Sequence, residues 1–223
     1  MFARKLNKPQ LANSDDVIFV PIDGFSSWTR LDAMKWAFEQ SLGEAISFCV
    51  VLDRDYRCDE ETAAISAELH NHVSLVHIHL RKEIENYLLI PNALRRLFED
   101  PAAFEQVIHA VSEELIDTTN AQYAARHADF AQNGGIDRAT SIAEANRRFR
   151  RKWSGVDSRM EIVPGKQFLS AINRQVQDNV KKTLTPSAIL SAMRQDEVPT
   201  DMISLIDYLE TFRTGHTFGS LAP

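Results

Sequence analysis

Ile46-Ser47-Phe48-Cys49-Val50-Val51-Leu52-Asp53-Arg54-Asp55 is the stretch whose reading decides the fold. Its apolar part is short, β-branched and almost free of polar groups, the pattern of a strand buried on both faces of a parallel sheet. In open α/β sheets the chemistry collects at the carboxyl ends of the strands. Asp53 and Asp55 stand there in alternate positions, which on an extended segment project to the same side. Two such carboxylates repel each other unless a cation lies between them, and hard oxygen ligands suit Mg²⁺ or Mn²⁺. The same pair also fits a solvated strand-to-loop turn, so the metal reading needs a second signal.

That signal follows one crossover later. Asp59 to Leu69 has helical composition, and Val73-Ser74-Leu75-Val76-His77-Ile78-His79-Leu80 reads as the next strand. Strand, helix and strand make a right-handed parallel unit whose strands end on one edge of the sheet. Arg81-Lys82-Glu83-Ile84-Glu85-Asn86-Tyr87-Leu88-Leu89 comes next, so Asp53, Asp55, Glu83 and Glu85 are expected to converge. On an extended segment Glu83 and Glu85 share a face; in a helix opening at Arg81 they separate by about 200°. Ion pairs with Arg81 and Lys82 are the plain alternative for this cluster.

Working outward, residues 17 to 22 (Val-Ile-Phe-Val-Pro-Ile) read as a first strand, with Pro21 near its end. Gly24 permits a sharp turn, and Leu31, Met34, Phe38 and Leu42 recur at helical spacing. Trp28 and Trp36 read as core or helix-packing residues. After Pro91 the texture becomes helical. Asn92 is placed to cap a short helix and Pro101 to open a longer one, which ends at the break Asn133-Gly134-Gly135. Further helices are expected around 138–152, 166–183, 186–195 and 200–213. The expected architecture is α/β: a partial, three-stranded parallel sheet flanked by helices over 1–91, then an all-helical half over 92–223.

Several residues carry weaker signals. Arg147-Arg148-Phe149-Arg150-Arg151-Lys152-Trp153 concentrates positive charge that phosphates would attract, with Trp153 able to stack on a base; a charged helix face ending in a packed Trp is the commoner meaning. His77 and His79 alternate on a strand, where hydrogen-bonded burial is commoner than metal ligation. Gly165-Lys166 is no phosphate-binding P-loop, since Met160 stands where its first glycine would be and Gln167 replaces Ser or Thr.

Val50-Val51-Leu52-Asp53-Arg54-Asp55-Tyr56-Arg57 followed by Arg81-Lys82-Glu83-Ile84-Glu85-Asn86-Tyr87-Leu88-Leu89-Ile90-Pro91 resembles the Toprim nuclease domain of the OLD (overcoming lysogenization defect) family. Phe19-Val20-Pro21-Ile22-Asp23-Gly24-Phe25-Ser26-Ser27-Trp28 is similar to that family's second strand and glycine turn. Val163-Pro164-Gly165-Lys166-Gln167-Phe168-Leu169 is similar to its later Gly-Lys segment. The resemblance implies Mg²⁺- or Mn²⁺-dependent phosphodiester hydrolysis of nucleic acid, DNA ahead of RNA, within an ATPase-coupled phage-defence system. It implies Asp53, Asp55, Glu83 and Glu85 as metal-binding and catalytic residues, with Lys166 neutralising phosphate charge. It leaves open which glutamate is the ligand. An ABC-type ATPase domain or subunit is the implied partner, and self-association stays open. The chain departs from the family in one respect: a Toprim domain opens with a strand ending in Glu-Gly, and no such pair precedes Asp23. Met1-Phe2-Ala3-Arg4-Lys5-Leu6 instead looks like the end of the helix that follows that strand, which implies a truncated domain with incomplete activity. The rival reading is a non-catalytic assembly or regulatory module that docks an ATPase.

Composition sets bounds around both readings. The chain has 223 residues, 44% hydrophobic and 25% charged, with a formal net charge of −6. That is ordinary for a globular protein, and the acidic balance neither advertises nor excludes a nucleic-acid binder. Cys49 and Cys58 lack the spacing of a zinc site or a disulfide framework, which fits a reducing cytoplasm. The amino terminus lacks the apolar core of a signal peptide, and no apolar run approaches transmembrane length.

Overall fold

The computed structural model describes residues 1–13, 17–21, 31–42, 47–180 and 183–213. Two parallel strands form its sheet: β1 (Cys49–Leu52) and β2 (Leu75–Ile78), with Cys49 opposite Leu75 and Leu52 opposite Ile78. The helix between them, Asp59–Leu69, is the crossover read from composition. Its first turn holds Asp59, Glu60 and Glu61, which the positive end of the helix dipole favours.

Numbering the helices in chain order, α1 (Phe2–Lys5), α2 (Pro9–Asn13) and α3 (Leu31–Leu42) precede β1, and the crossover is α4. After β2 come a 3₁₀ turn (Ile84–Leu88), α5 (Pro91–Arg95) and the long α6 (Pro101–Asn133). Then follow α7 (Arg138–Ser154), α8 (Val156–Ile162), α9 (Gly165–Val180), α10 (Pro186–Ala192) and α11 (Thr200–Arg213). The result is a small parallel sheet followed by a helical half. Among the described residues no helix is long and apolar enough to cross a membrane.

The helix starts have local causes. Asp100 Oδ1 accepts from Ala102 N at 2.9 Å, Asp137 Oδ2 from Thr140 N at 2.9 Å and Thr185 Oγ1 from Ala188 N at 3.1 Å. Each satisfies an orphan donor of a first turn, and Pro101 and Pro186 occupy positions where no amide donor is needed. Gly134 and Gly135 end α6, Gly135 with φ of 79°. α7 then folds back along α6: Arg138 pairs with Asp129 at 2.9 Å and the Tyr123 and Phe149 rings meet at 5.8 Å.

Burial divides into two clusters. The larger joins Phe104, Val111, Phe149, Met160, Phe168, Ile172 and many others, and also takes in Phe2, Leu6 and Leu11. The smaller, around the sheet, consists of Leu31, Val50, Leu52, Leu69 and Val73. Tyr87 links strand end to helices. Its ring is fully buried, its hydroxyl donates to Asp201 of α11, and Leu80 N donates to the same hydroxyl at 3.3 Å.

Four sequence expectations need correction. Residues 17–21 are not a strand, and Ile18 and Phe19 are 70% and 72% exposed, so the sheet has two strands among the described residues instead of three. Apolar composition signals a tendency to pair, but pairing needs a partner that a linear sequence does not specify. β1 is not buried on both faces, because Val51 is exposed. Trp36 is 65% exposed and not packed. Asn92 caps nothing, since α5 begins at Pro91 with Ile90 before it. Helix α8 had no counterpart in the sequence reading; it is short and starts after Gly155 with no side-chain cap. Gly24, Trp28 and the rest of the expected glycine turn lie outside the described residues.

Candidate functional site

The backbone beyond the strand ends brings the acidic residues together. His79 N donates to Leu52 O at 2.9 Å and Asp55 N to Lys82 O at 3.0 Å, so the segments after β1 and β2 run on side by side. Ile84 N then donates to Asp53 Oδ1 at 2.9 Å. Asp53 is half-buried, and its carboxyl is pushed up to about 6. Burial is the main cause; the Ile84 amide pulls the other way, and the charges of Asp55, Glu85 and Glu83 add to the rise. All four acidic residues therefore act on one locus at the carboxyl edge of the sheet.

Asp55 reaches that locus by a different route from the one alternation implied. Its φ is 47° and that of Tyr56 is 64°, both left-handed. Asp tolerates this conformation; for a bulky Tyr it costs of order 1–2 kcal/mol and needs support. The support is packing: Tyr56 is buried, with the Lys82 ammonium 4.9 Å from its ring centre and the Tyr123 ring at 5.7 Å.

Glu83 and Glu85 follow neither of the two geometries weighed from sequence. Glu83 is extended (φ −135°, ψ 161°) and the 3₁₀ turn begins only at Ile84. The Glu83 carboxylate accepts from the Lys82 ammonium and, at 3.2 Å, from Lys166 N in the first turn of α9. It thus neutralises the positive end of that helix. The Lys166 ammonium lies 3.6 Å from Glu85 Oε1. Lys166, far away in sequence, is therefore set against both glutamates. Gly165 makes this approach possible: a Cβ there would come within 2.8 Å of Asn86 Oδ1 and 3.0 Å of Glu85 Cβ. Asn86 itself is fully buried. Its Nδ2 donates to Met160 O at 2.7 Å and Val163 O at 2.9 Å, while its Oδ1 accepts from Glu83 N at 2.9 Å.

Carboxylate oxygens are the right donors for Mg²⁺ or Mn²⁺. Among the described residues, however, no group of three or more His, Cys, Asp or Glu side chains is gathered closely enough to hold a metal ion. Asp53 is engaged with the Ile84 amide, Glu83 with Lys82, Glu85 with Lys166 and Asp55 with Arg57.

His77 and His79 do touch, Nε2 to Nδ1 at 3.2 Å, but they belong to the packing under the sheet. His79 is 2% exposed, its ring is 5.0 Å from that of Tyr87, and burial pushes it down to about 4. Trp153 is no free stacking surface either. It is buried, stacked on Phe149 at 5.0 Å, with the Arg159 guanidinium 5.4 Å from its ring centre.

What sequence reasoning missed lies beside the acidic edge. A cleft of about 400 Å³ opens among the 53–59 loop, α6, α7 and α8. Six cationic side chains line it: Arg54, Arg57, Lys82, Arg148, Arg151 and Lys152. Three belong to one face of α7, at positions i, i+3 and i+4, while Arg147 and Arg150 are absent from the lining. That face was the available signal inside the basic run. Arg57 is buried and reaches both Asp55 Oδ2 at 3.5 Å and Glu61 Oε1 at 3.4 Å.

No protein-family model matches the chain, and no curated protein or solved structure matches it.

Proposed function

We propose that the chain carries the metal-dependent phosphodiester-hydrolysing site of a Toprim-type nuclease acting on nucleic acid, DNA ahead of RNA. One observation supports this above the others. Asp53, held at the carboxyl end of β1, feels the charges of Asp55, Glu83 and Glu85 together, and Lys166 of α9 stands against the two glutamates. Carboxylates crowded at a strand end, with a lysine beside them, suit a divalent cation and a phosphate group. Asp53 and Asp55, with Glu83 or Glu85, are the residues that would hold Mg²⁺ or Mn²⁺; the ion would polarise the phosphoryl oxygens. Lys166 would add positive charge for the transition state. The Ile84 amide orients Asp53, and the buried Asn86 fixes the turn that presents both glutamates.

Calorimetric titration with Mn²⁺ tests the metal, using the wild type and a variant carrying Asp53→Ala and Asp55→Ala. The wild type should bind and the variant should lose most of that affinity; equal affinities would remove the metal from the proposal. Mg²⁺-dependent nicking of plasmid DNA, abolished by Asp53→Asn, tests the chemistry.

A second reading draws on a separate observation. Ile18, Phe19, Val20 and Trp36 are exposed, and exposed apolar surface of this kind suits a contact with another protein. A non-catalytic module would use it to dock an ABC-type ATPase or a second copy of itself. Loss of assembly in Trp36→Glu, with no Mn²⁺ binding in the wild type, would favour that reading.

A further inference from the structure

The cleft beside the acidic edge is chemically unlike the rest of the protein. The chain carries a net charge of −6, yet six cations and only three acidic groups (Asp59, Glu60 and Glu161) line this cleft. Arg54 pairs with Asp59, Lys152 lies 3.3 Å from Glu161, and Arg148 lies 3.2 Å from Glu144 on its outer side. These exposed pairs are weak and exchangeable. His127, stacked on Tyr123 at 4.3 Å, is pushed down to about 4, by burial first and then by Arg148 and Arg54.

The cleft and the acidic edge share a wall. Lys82 lines the cleft and donates to Glu83; Arg57 lines the cleft and reaches Asp55. A volume of about 400 Å³ is at the small end for ligand sites and is far too narrow for a duplex.

We propose that this cleft seats a phosphate of a single nucleic-acid strand, adjacent to the phosphate presented at the acidic edge, with Arg148, Arg151 and Lys152 of α7 as its outer contacts. The inference rests on reading the acidic edge as a phosphodiester site, and it adds a strand path to that site. A strand crossing the shared wall exchanges the weak surface pairs for phosphate contacts and releases counterions. The buried Arg57 stays tied to Asp55 and Glu61, so it sets the inner end of the cleft and not the exchangeable contacts.

Two double variants of one helix separate a seated phosphate from general attraction. Arg148→Ala with Arg151→Ala removes two charges from the cleft. Arg147→Ala with Arg150→Ala removes two from the same helix outside it. Binding of a fluorescently labelled single-stranded DNA oligonucleotide is measured by anisotropy in EDTA at several salt concentrations, with thermal melts to verify folding. The cleft variant should bind about tenfold or more weakly, and its plot of log K against log salt should be shallower by about 0.7, the change for one phosphate that is no longer neutralised. The outer variant should keep the wild-type slope.

Equal effects of the two variants, or no oligonucleotide binding by the wild type, would overturn the proposal. So would thymidine monophosphate binding as tightly as the oligonucleotide, which would mark a small-molecule pocket. Because binding is read in EDTA, cleavage fails separately. A chain that binds through the cleft but shows no Mn²⁺ binding in the calorimetric titration loses the metal-dependent hydrolase reading alone. A chain that nicks while the cleft variant binds and cuts like wild type loses the cleft alone.

Discussion

Asp53 is where structure and chemistry conflict most directly. Its folded carboxyl keeps the proton up to about 6, against an ordinary value of 3.8. Between those two values the folded state binds more protons than the unfolded one, so its contribution to stability falls as pH rises, and above about pH 6 the full cost is present. Asp53→Asn keeps an oxygen for the Ile84 amide and removes the charge. The variant should melt higher than wild type at pH 7–8, and the difference should shrink to nothing below about pH 3.8. A variant no more stable at pH 8 than at pH 4, relative to wild type, would contradict the burial of Asp53, and the added acidic charges around it, that raise its carboxyl. The two glutamates separate at the same scale. Glu83 neutralises the buried Lys82 and the start of α9, so Glu83→Gln should cost about 2–3 kcal/mol in denaturant unfolding. Glu85 pairs with the exposed end of Lys166, so Glu85→Gln should leave stability within about 0.5 kcal/mol and act on cleavage instead. The reverse ranking would make Glu83 the functional carboxylate.

Among the elements, the 3₁₀ turn at Ile84–Leu88 positions the site, and Asn86 holds that turn. One buried amide closes three hydrogen bonds, to Met160 O, Val163 O and Glu83 N, and so ties the sheet edge to α8 and the residue that ends it. Asn86→Ala strands two carbonyls and an amide away from water. It should cost about 3 kcal/mol or more, read as a lowered urea midpoint, and should release Lys166 from the glutamates. A loss under about 1 kcal/mol would mean that water takes the place of the side chain. This turn also marks how far the sequence could be read. The crossover α4 and the starts of α6 and α10 were legible because their causes are local: composition, and Pro at the first helical position. That β1 and β2 end on one edge was legible too, because a strand, a crossover helix and a second strand make a parallel pair. The bend at Asp55 and Tyr56 was not legible, because packing against Lys82 and Tyr123 imposes it. Nor was the cleft, whose walls come from the 53–59 loop, α6, α7 and α8. Residues 17–21 show the opposite failure, a strand-like composition with no strand formed.

For the molecule as a whole, the site lies where two unequal cores meet. Asp53 and Asp55 issue from the sheet, whose buried cluster has five members, Leu31, Val50, Leu52, Leu69 and Val73. Lys166 and the anchors of Asn86 issue from the helical half, where Val111, Phe168 and Ile172 are almost wholly buried. Two strands with so small a core are marginal by themselves, and local opening favours the least buried unit. Amide hydrogen exchange should therefore be much faster at Val51, His77 and Ile78 than at Val111, Phe168 and Ile172. A ligand bridging Asp53 and the glutamates acts across both units and should slow the strand amides in particular, since binding stabilises the closed form in proportion to its occupancy. Adding Mn²⁺ at saturating concentration should thus bring exchange at His77 and Ile78 toward that of the helical core and leave Ile172 unchanged. Uniform protection throughout the chain without metal would mean that the two cores open together. The site would then be held by global folding and not by the metal that it is proposed to bind.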